Sequence, residues 1–195
     1  TPLPGVVIIP GNIAYLNQFF SVILKVSNVA PGYANLEVRD LRAEIVLPGG
    51  RDTVYGTGDD PLRPARTGAP PVDDPAIKPI RTAGPDGQPG TADDLDVLAP
   101  QQSGDAEYLV EGRREGVHVV DLKITGTLHG LPGGPVPVEG RAQGVVEVRN
   151  PTFALTFNHP ATVSAGEEYD LLVTLTNVSS TPANFAAFVM ASRAA

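Results

Sequence analysis

Ten aspartates stand between Asp52 and Asp105, at 52, 59, 60, 73, 74, 86, 93, 94, 96 and 105, with no glutamate among them. Four basic residues, Arg63, Arg66, Lys78 and Arg81, share the stretch. Short carboxylates interleaved with glycine suit a hard cation. Ca2+ takes about six to eight oxygens at ~2.3–2.6 Å, and glycine lets the main chain turn tightly enough to add carbonyls. The densest segment is Gly84-Pro-Asp-Gly-Gln-Pro-Gly-Thr-Ala-Asp-Asp94, and Gly56-Thr-Gly-Asp-Asp60 is a shorter echo of it. An Asp-Asp step after Gly-Thr can turn one carboxylate inward and one outward, or bridge two ions. The competing reading is a solvated acidic loop whose Asp and Gly serve turns through Asx hydrogen bonds.

Residues 84–94 resemble the Asp/Gly-rich calcium loops of bacterial surface proteins and, more loosely, thrombospondin type 3 repeats. An EF-hand is rejected: with Gly87 in the sixth position the first and third ligands would be Thr82 and Gly84. The resemblance implies Ca2+ ligands at Asp86, Asp93, Asp94 and Asp96, with Asp59 and Asp60 second through the echo. Mg2+ suits the pattern less, because it rarely uses wrapping all-protein cages. Asp73-Asp74, held in Pro-Pro-Val-Asp-Asp-Pro, reads as a rigid exposed turn.

Other chemistries find little material. The chain has no Cys, which removes disulfides, thiol catalysis and Cys-bound metals. His118, His129 and His159 have no paired spacing for zinc. No Gly-x-Ser-x-Gly or phosphate-binding Gly-Lys loop occurs. A net charge of −8 argues against nucleic acid and anionic membrane surfaces. No apolar run is long enough to cross a bilayer. Thr1 in place of an initiator Met leads us to expect a processed or excised piece.

The elements that must hold these loops are strands. Residues 20–29 and 169–178 alternate apolar and polar in the same phase, both runs ending in Asn-Val, at Asn28 and Asn177. The offset of 149 persists without a gap from Ala34-Asn35-Leu36 to Ala183-Asn184-Phe185, which reads as a tandem duplication. The first copy predicts strands at 6–9, 19–28, 36–47, 106–111, 117–128 and 136–149, with a bulge or bend at Gly140 and Gly144 in the last. The run at 36–47 lacks clean alternation, and its pairing with 184–190 in the repeat favours strand over a short helix. The second copy predicts strands at 152–157, 168–177 and 184–190.

The expected fold is all-β: an immunoglobulin-like antiparallel β-sandwich over residues 1–149, carrying a long Asp/Gly/Pro-rich insertion at about 48–105, followed by an incomplete second copy at 150–195. Gly and Pro together supply 41 of 195 residues (21 + 20), which favours turns over long helices. The segments at 20–29, 169–178, 111–128 and 140–149 resemble immunoglobulin-like repeats of large bacterial surface proteins, stalks and adhesins. That resemblance implies an extracellular or cell-surface, non-enzymatic module rigidified by Ca2+. Its expected partners are neighbouring copies of itself or adjacent repeats, joined by strand pairing through residues 151–195. Two other readings stand beside it. One is a carbohydrate- or ligand-binding accessory module of a secreted enzyme, which the absence of Trp supplies poorly with stacking surface. The other is a hydrolase with two acids of the insertion facing one cleft.

Overall fold

The computed structural model describes residues 5–85, 87–88, 91–150 and 152–179. The chain divides into two compact units, Thr1–Val148 and Arg149–Ala195. In the first, β1 (Gly5–Ile8), β2 (Ile13–Tyr15), β3 (Phe19–Ser27) and β4 (Glu37–Val46) come before the insertion. Short strands then follow: β5 (Leu62–Pro64), β6 (Arg66–Thr67), β7 (Val72–Asp73), β8 (Ile77–Pro79) and β9 (Val97–Leu98). The long strands β10 (Ser103–Gly112), β11 (Gly116–His129) and β12 (Val136–Arg149) complete this unit.

Two sheets enclose one core. One runs β1-β3-β10-β5 and the other β2-β12-β11-β4-β8, with β9 also paired to β4. This is the ABED and GFC arrangement of immunoglobulin-type sandwiches, with short strands added at the outer edges. Alternation decides which side chains point inward. Val22, Leu24 and Val26 of β3 and Ala106, Tyr108 and Val110 of β10 form one inner face. Val120, Leu122 and Ile124 of β11 belong to the other, with Val138, Ala142, Val146 and Val148 of β12 beside them. A fully buried Val or Leu contributes about 1.5–3 kcal/mol, so this layer is the main support of everything attached to it.

The uneven pattern of β4 has a physical cause. Thr125 pairs with Arg42 and Thr127 with Arg39, so Asp40 and Leu41 lie opposite Gly126 alone. Asp40 takes the extra turn of this bulge at φ 53°, and Leu41 is returned to the core at 2% exposure. Gly126 fits here because a Cβ would come within 2.7 Å of the Leu41 side chain. Of the bulge or bend expected at Gly140 and Gly144, the bulge is absent: β11 and β12 pair without a register shift from Gly116–Val148 to Leu128–Val136. Gly144 answers a close approach instead, since a Cβ would meet Val7 at 2.6 Å.

The insertion is also more ordered than its sequence suggests. It supplies β5 to the first sheet and β8 and β9 to the second, and it buries Leu62, Ala65, Ile80 and Leu98 completely. Runs of two or three residues between prolines are too short to display a period of two, which hides them from pattern reading.

The second unit contains β13 (Phe153–Asn158) and β14 (Leu172–Asn177), paired antiparallel from Phe153–Asn177 to Asn158–Leu172. The strand expected at 184–190 lies outside the described residues.

Candidate functional site

The Asp-rich loops fold as a pair. Residues 50–60 follow β4 and residues 84–94 precede β9, and the two segments correspond at an offset of 34 residues. Gly50, Asp52, Gly56, Thr57, Asp59 and Asp60 then fall on Gly84, Asp86, Gly90, Thr91, Asp93 and Asp94. Their hydrogen bonds correspond as well. The amide of Thr53 donates to the Gly50 carbonyl at 3.2 Å, and that of Gly87 to the Gly84 carbonyl at 3.0 Å. Both donors have positive φ, 60° for Thr53 and 70° for Gly87.

Each threonine hydroxyl then joins the turn to the acids. Thr57 Oγ1 lies 3.3 Å from the Val54 carbonyl and 2.6 Å from Asp59 Oδ1. Thr91 Oγ1 lies 3.1 Å from the Gln88 carbonyl and 2.6 Å from Asp93 Oδ1. The next amides, of Asp60 and Asp94, each donate at 3.4 Å to the carbonyl of their threonine. The first glycine of each loop is required by space. A Cβ on Gly50 would overlap the Asp59 carboxyl group, and one on Gly84 would overlap the Asp93 main chain.

The carboxylates differ in environment. Asp59 is held below the ordinary carboxylate range, chiefly by the Thr57 hydroxyl and then by main-chain donors that include the Arg51 amide at 2.6 Å. Asp60 is 8% exposed, and the amides of Gly50 and Gly56 donate to its two oxygens at 3.3 and 2.7 Å. Asp94 lies 3.4 Å from Thr91 Oγ1 and shares a cleft with Asp105. Burial pushes the Asp105 carboxyl up; Lys25 opposes this, and Asp94 and Glu107 add to it. Asp96 is drawn to Arg81, whose Nε donates to it at 2.8 Å. Asp86 lies outside the described residues. The structure thus ties Asp59 to Thr57 in one loop and Asp93 to Thr91 in the other, and gives Asp96 to a salt bridge.

Carboxylate and main-chain carbonyl oxygens are the donor types that a hard cation takes, and in the first loop the carboxylates of Asp59 and Asp60 already accept main-chain amides. Among the described residues no three acidic or imidazole side chains converge on one point. An ion in either loop would therefore draw on main-chain carbonyls and water beside the paired aspartates.

One acid has a different place from the exposed turn that its neighbouring prolines suggest. Asp74 accepts the Leu109 amide at 2.9 Å and the Lys78 ammonium at 2.8 Å, with its side chain 19% exposed. Lys78 also donates to the Glu107 carbonyl at 2.7 Å and lies 5.2 Å from the centre of the Tyr108 ring. Tyr108 donates to the Ala43 carbonyl at 2.7 Å, so this cluster ties the insertion to both sheets. Its members are scattered through the sequence, and only the Asp74–Lys78 spacing of four gave a local signal.

No protein-family model matches the sequence, and no curated protein matches it. Among solved structures, the fold is similar to the crystal structure of the CARDB domain of the PF1109 protein from Pyrococcus furiosus, in complex with di-metal ions. The two share 12% identity at a TM-score of 0.40, over 75% of this chain and 87% of that one. A solution structure of the same domain gives 12% and 0.38, over 75% and 93%. A structure of AvmM, which catalyzes macrocyclization in alchivemycin A biosynthesis, gives 12% and 0.36, over 75% and 88%.

Proposed function

We propose that this chain is a structural, non-enzymatic module of an extracellular bacterial surface array, filament or adhesin, and that Ca2+ stabilises it through residues 50–60 and 84–94. The observation that carries the reading is the repetition, at an offset of 34, of the same hydrogen bonds among the described residues, with a threonine-to-aspartate bond at 2.6 Å in both copies. A Gly-Thr-x-Asp-Asp sequence present twice, with the same threonine-to-aspartate bond in both copies, is explained by one ligand type recognised twice. The ion would neutralise neighbouring carboxylates and offset the entropy of ordering the insertion. Since that insertion supplies edge strands to both sheets, loop order and sandwich stability would rise together.

Neighbouring copies or adjacent repeats would join by strand pairing through the β13–β14 ribbon, whose outer edges carry no further strand among the described residues. The test for the ion is calorimetric titration of the whole chain with CaCl2, beside Asp59→Asn with Asp60→Asn and Asp93→Asn with Asp94→Asn. Each pair is expected to remove part of the calcium heat and both together all of it. Undiminished binding by the quadruple variant would overturn this choice of ligands.

A further inference from the structure

We propose that the first unit carries a docking cleft for the acidic β13–β14 loop of a second copy of this chain, giving a head-to-tail contact. The cleft is open, about 720 Å3 in volume, and its apolar lining is Leu16, Val117 and Val119. Val117 and Val119 are 67% and 41% exposed, on the outer face of β11. Three arginines line the cleft, Arg51, Arg113 and Arg114. Arg113 is engaged with Glu111 and Asn17 at 3.2 Å. Arg51 and Arg114 enter no side-chain ion pair among the described residues and are exposed. Asp59, on which the Arg114 charge acts, and Glu115 also line the cleft, leaving three arginines against two acids on a protein of net charge −8.

The chain supplies a complementary group. The connection between β13 and β14 carries Glu167-Glu168-Tyr169-Asp170, all exposed, with Tyr169 at 54%. Glu167 receives the Ser164 amide at 3.2 Å, which shapes the turn, while Glu168 and Asp170 flank the tyrosine. A tyrosine on an apolar floor with arginine against carboxylate around it is the composition that dominates binding at protein interfaces. Charge complementarity further selects this pairing over like-charged alternatives. Loop and cleft are different surfaces, so the contact is heterologous and joins copies head to tail in rings or open chains. It belongs to the array reading above and adds a second contact to strand pairing.

The experiment is sedimentation velocity of the whole chain across a concentration series, in millimolar CaCl2 and again in EDTA, at low salt (about 50 mM) and high salt (about 500 mM), where exposed charges are screened. The wild type is expected to grow past dimer at low salt and to return toward monomer at high salt. Arg51→Glu with Arg114→Glu is expected to weaken association by about tenfold or more, and Glu168→Lys with Asp170→Lys equally. Mixing the two charge-reversed chains is expected to restore association, because each reversed cleft meets a reversed loop. A wild type that stays monomeric at every concentration overturns the proposal. So does association that persists in both reversed chains and ignores salt, which would instead point to strand pairing and leave that reading intact. A melting temperature measured on each variant separates lost docking from lost folding.

Discussion

The first pair of antiparallel strands in each unit offers an internal comparison. In the sandwich, β1 pairs with β3 so that Val7 lies opposite Leu24; in the second unit, β13 pairs with β14 so that Phe157 lies opposite Val173. Leu24 and Val173 are equivalent positions of the duplication. Both ribbons place apolar residues on one face: Val22, Leu24 and Val26 in the first, Leu155, Phe157, Val173 and Leu175 in the second. Val22, Leu24 and Val26 are fully buried, whereas Leu155, Phe157 and Leu175 are 46%, 52% and 41% exposed. The same local pattern therefore forms an antiparallel ribbon twice, though the register differs by one residue, since Val7 lies opposite Leu24 and its counterpart Thr156 opposite Thr174, and in the sandwich the ribbon lies beneath a second sheet. Strand pairing follows from local sequence, and stability follows from what covers the face.

The largest expected difference concerns that face. Leu24→Ala empties a fully buried site and should cost about 2–5 kcal/mol, while Val173→Ala should cost less than about 1 kcal/mol. Amide hydrogen exchange read residue by residue checks both, because protection in β3 should approach global stability and that in β14 should lie far below it. Equal costs would break the comparison.

The duplicated asparagine sharpens it. Asn28 accepts the Ala30 amide at 3.2 Å, and Asn177 accepts the Ser179 amide at 3.0 Å, so both close the same Asx turn. Asn28 additionally donates to the Leu36 and Leu98 carbonyls at 2.8 and 2.9 Å, and is 5% exposed. Asn28→Ala leaves those buried groups without their partner and should cost about 1–3 kcal/mol, read as a shift in denaturant midpoint.

Two acids of the insertion should respond to pH with opposite sign. Asp105 has its carboxyl raised by burial, so its protonated form favours the folded state. That contribution is present below the ordinary carboxylate pKa and is lost as pH rises through the raised value. Asp105→Asn should therefore stabilise slightly at neutral pH, with the gain vanishing in acid. Asp59 is lowered by the Thr57 hydroxyl, so its contribution is present above the ordinary value and lost as pH falls. Urea midpoints at pH 7 and about pH 4 for Asp105→Asn and Thr57→Val test both signs.

The smallest expected effect lies between the twin loops. Thr53 holds φ 60° where its counterpart is Gly87 at 70°, a conformation that strains a β-branched residue. Thr53→Gly should be neutral or stabilising by up to about 1 kcal/mol, measured as a shift in denaturation midpoint.

The long strands were legible because alternation over nine or more residues survives local noise, as β3 and β10 illustrate. In β4 the bulge at Asp40 broke that phase, and only the repeat revealed the strand. Short strands such as β8 gain their identity from a partner far along the chain, a relation that period cannot carry. The calcium-loop reading found Gly-Thr-x-Asp-Asp twice but overlooked that Gly50 and Asp52 extend the match to Gly84 and Asp86. Residue identity at an offset of 34 was the signal for the twin loops. The capture of Asp96 by Arg81 had none, since it depends on the approach of segments fifteen residues apart.

The central claim is that calcium orders the twin loops and thereby the sandwich. The most direct measurement is a thermal melt of the whole chain in excess EDTA, then with Ca2+ or Mg2+ restored at matched ionic strength. A ligand that binds only the folded state at about 100 times its Kd adds about 2.7 kcal/mol, or roughly 5–10 °C for a chain of this size. The account predicts a rise of that order with Ca2+ and a smaller one with Mg2+. An unchanged melting temperature at millimolar Ca2+ would contradict it, and the aspartates of both loops would then be turn-forming residues alone.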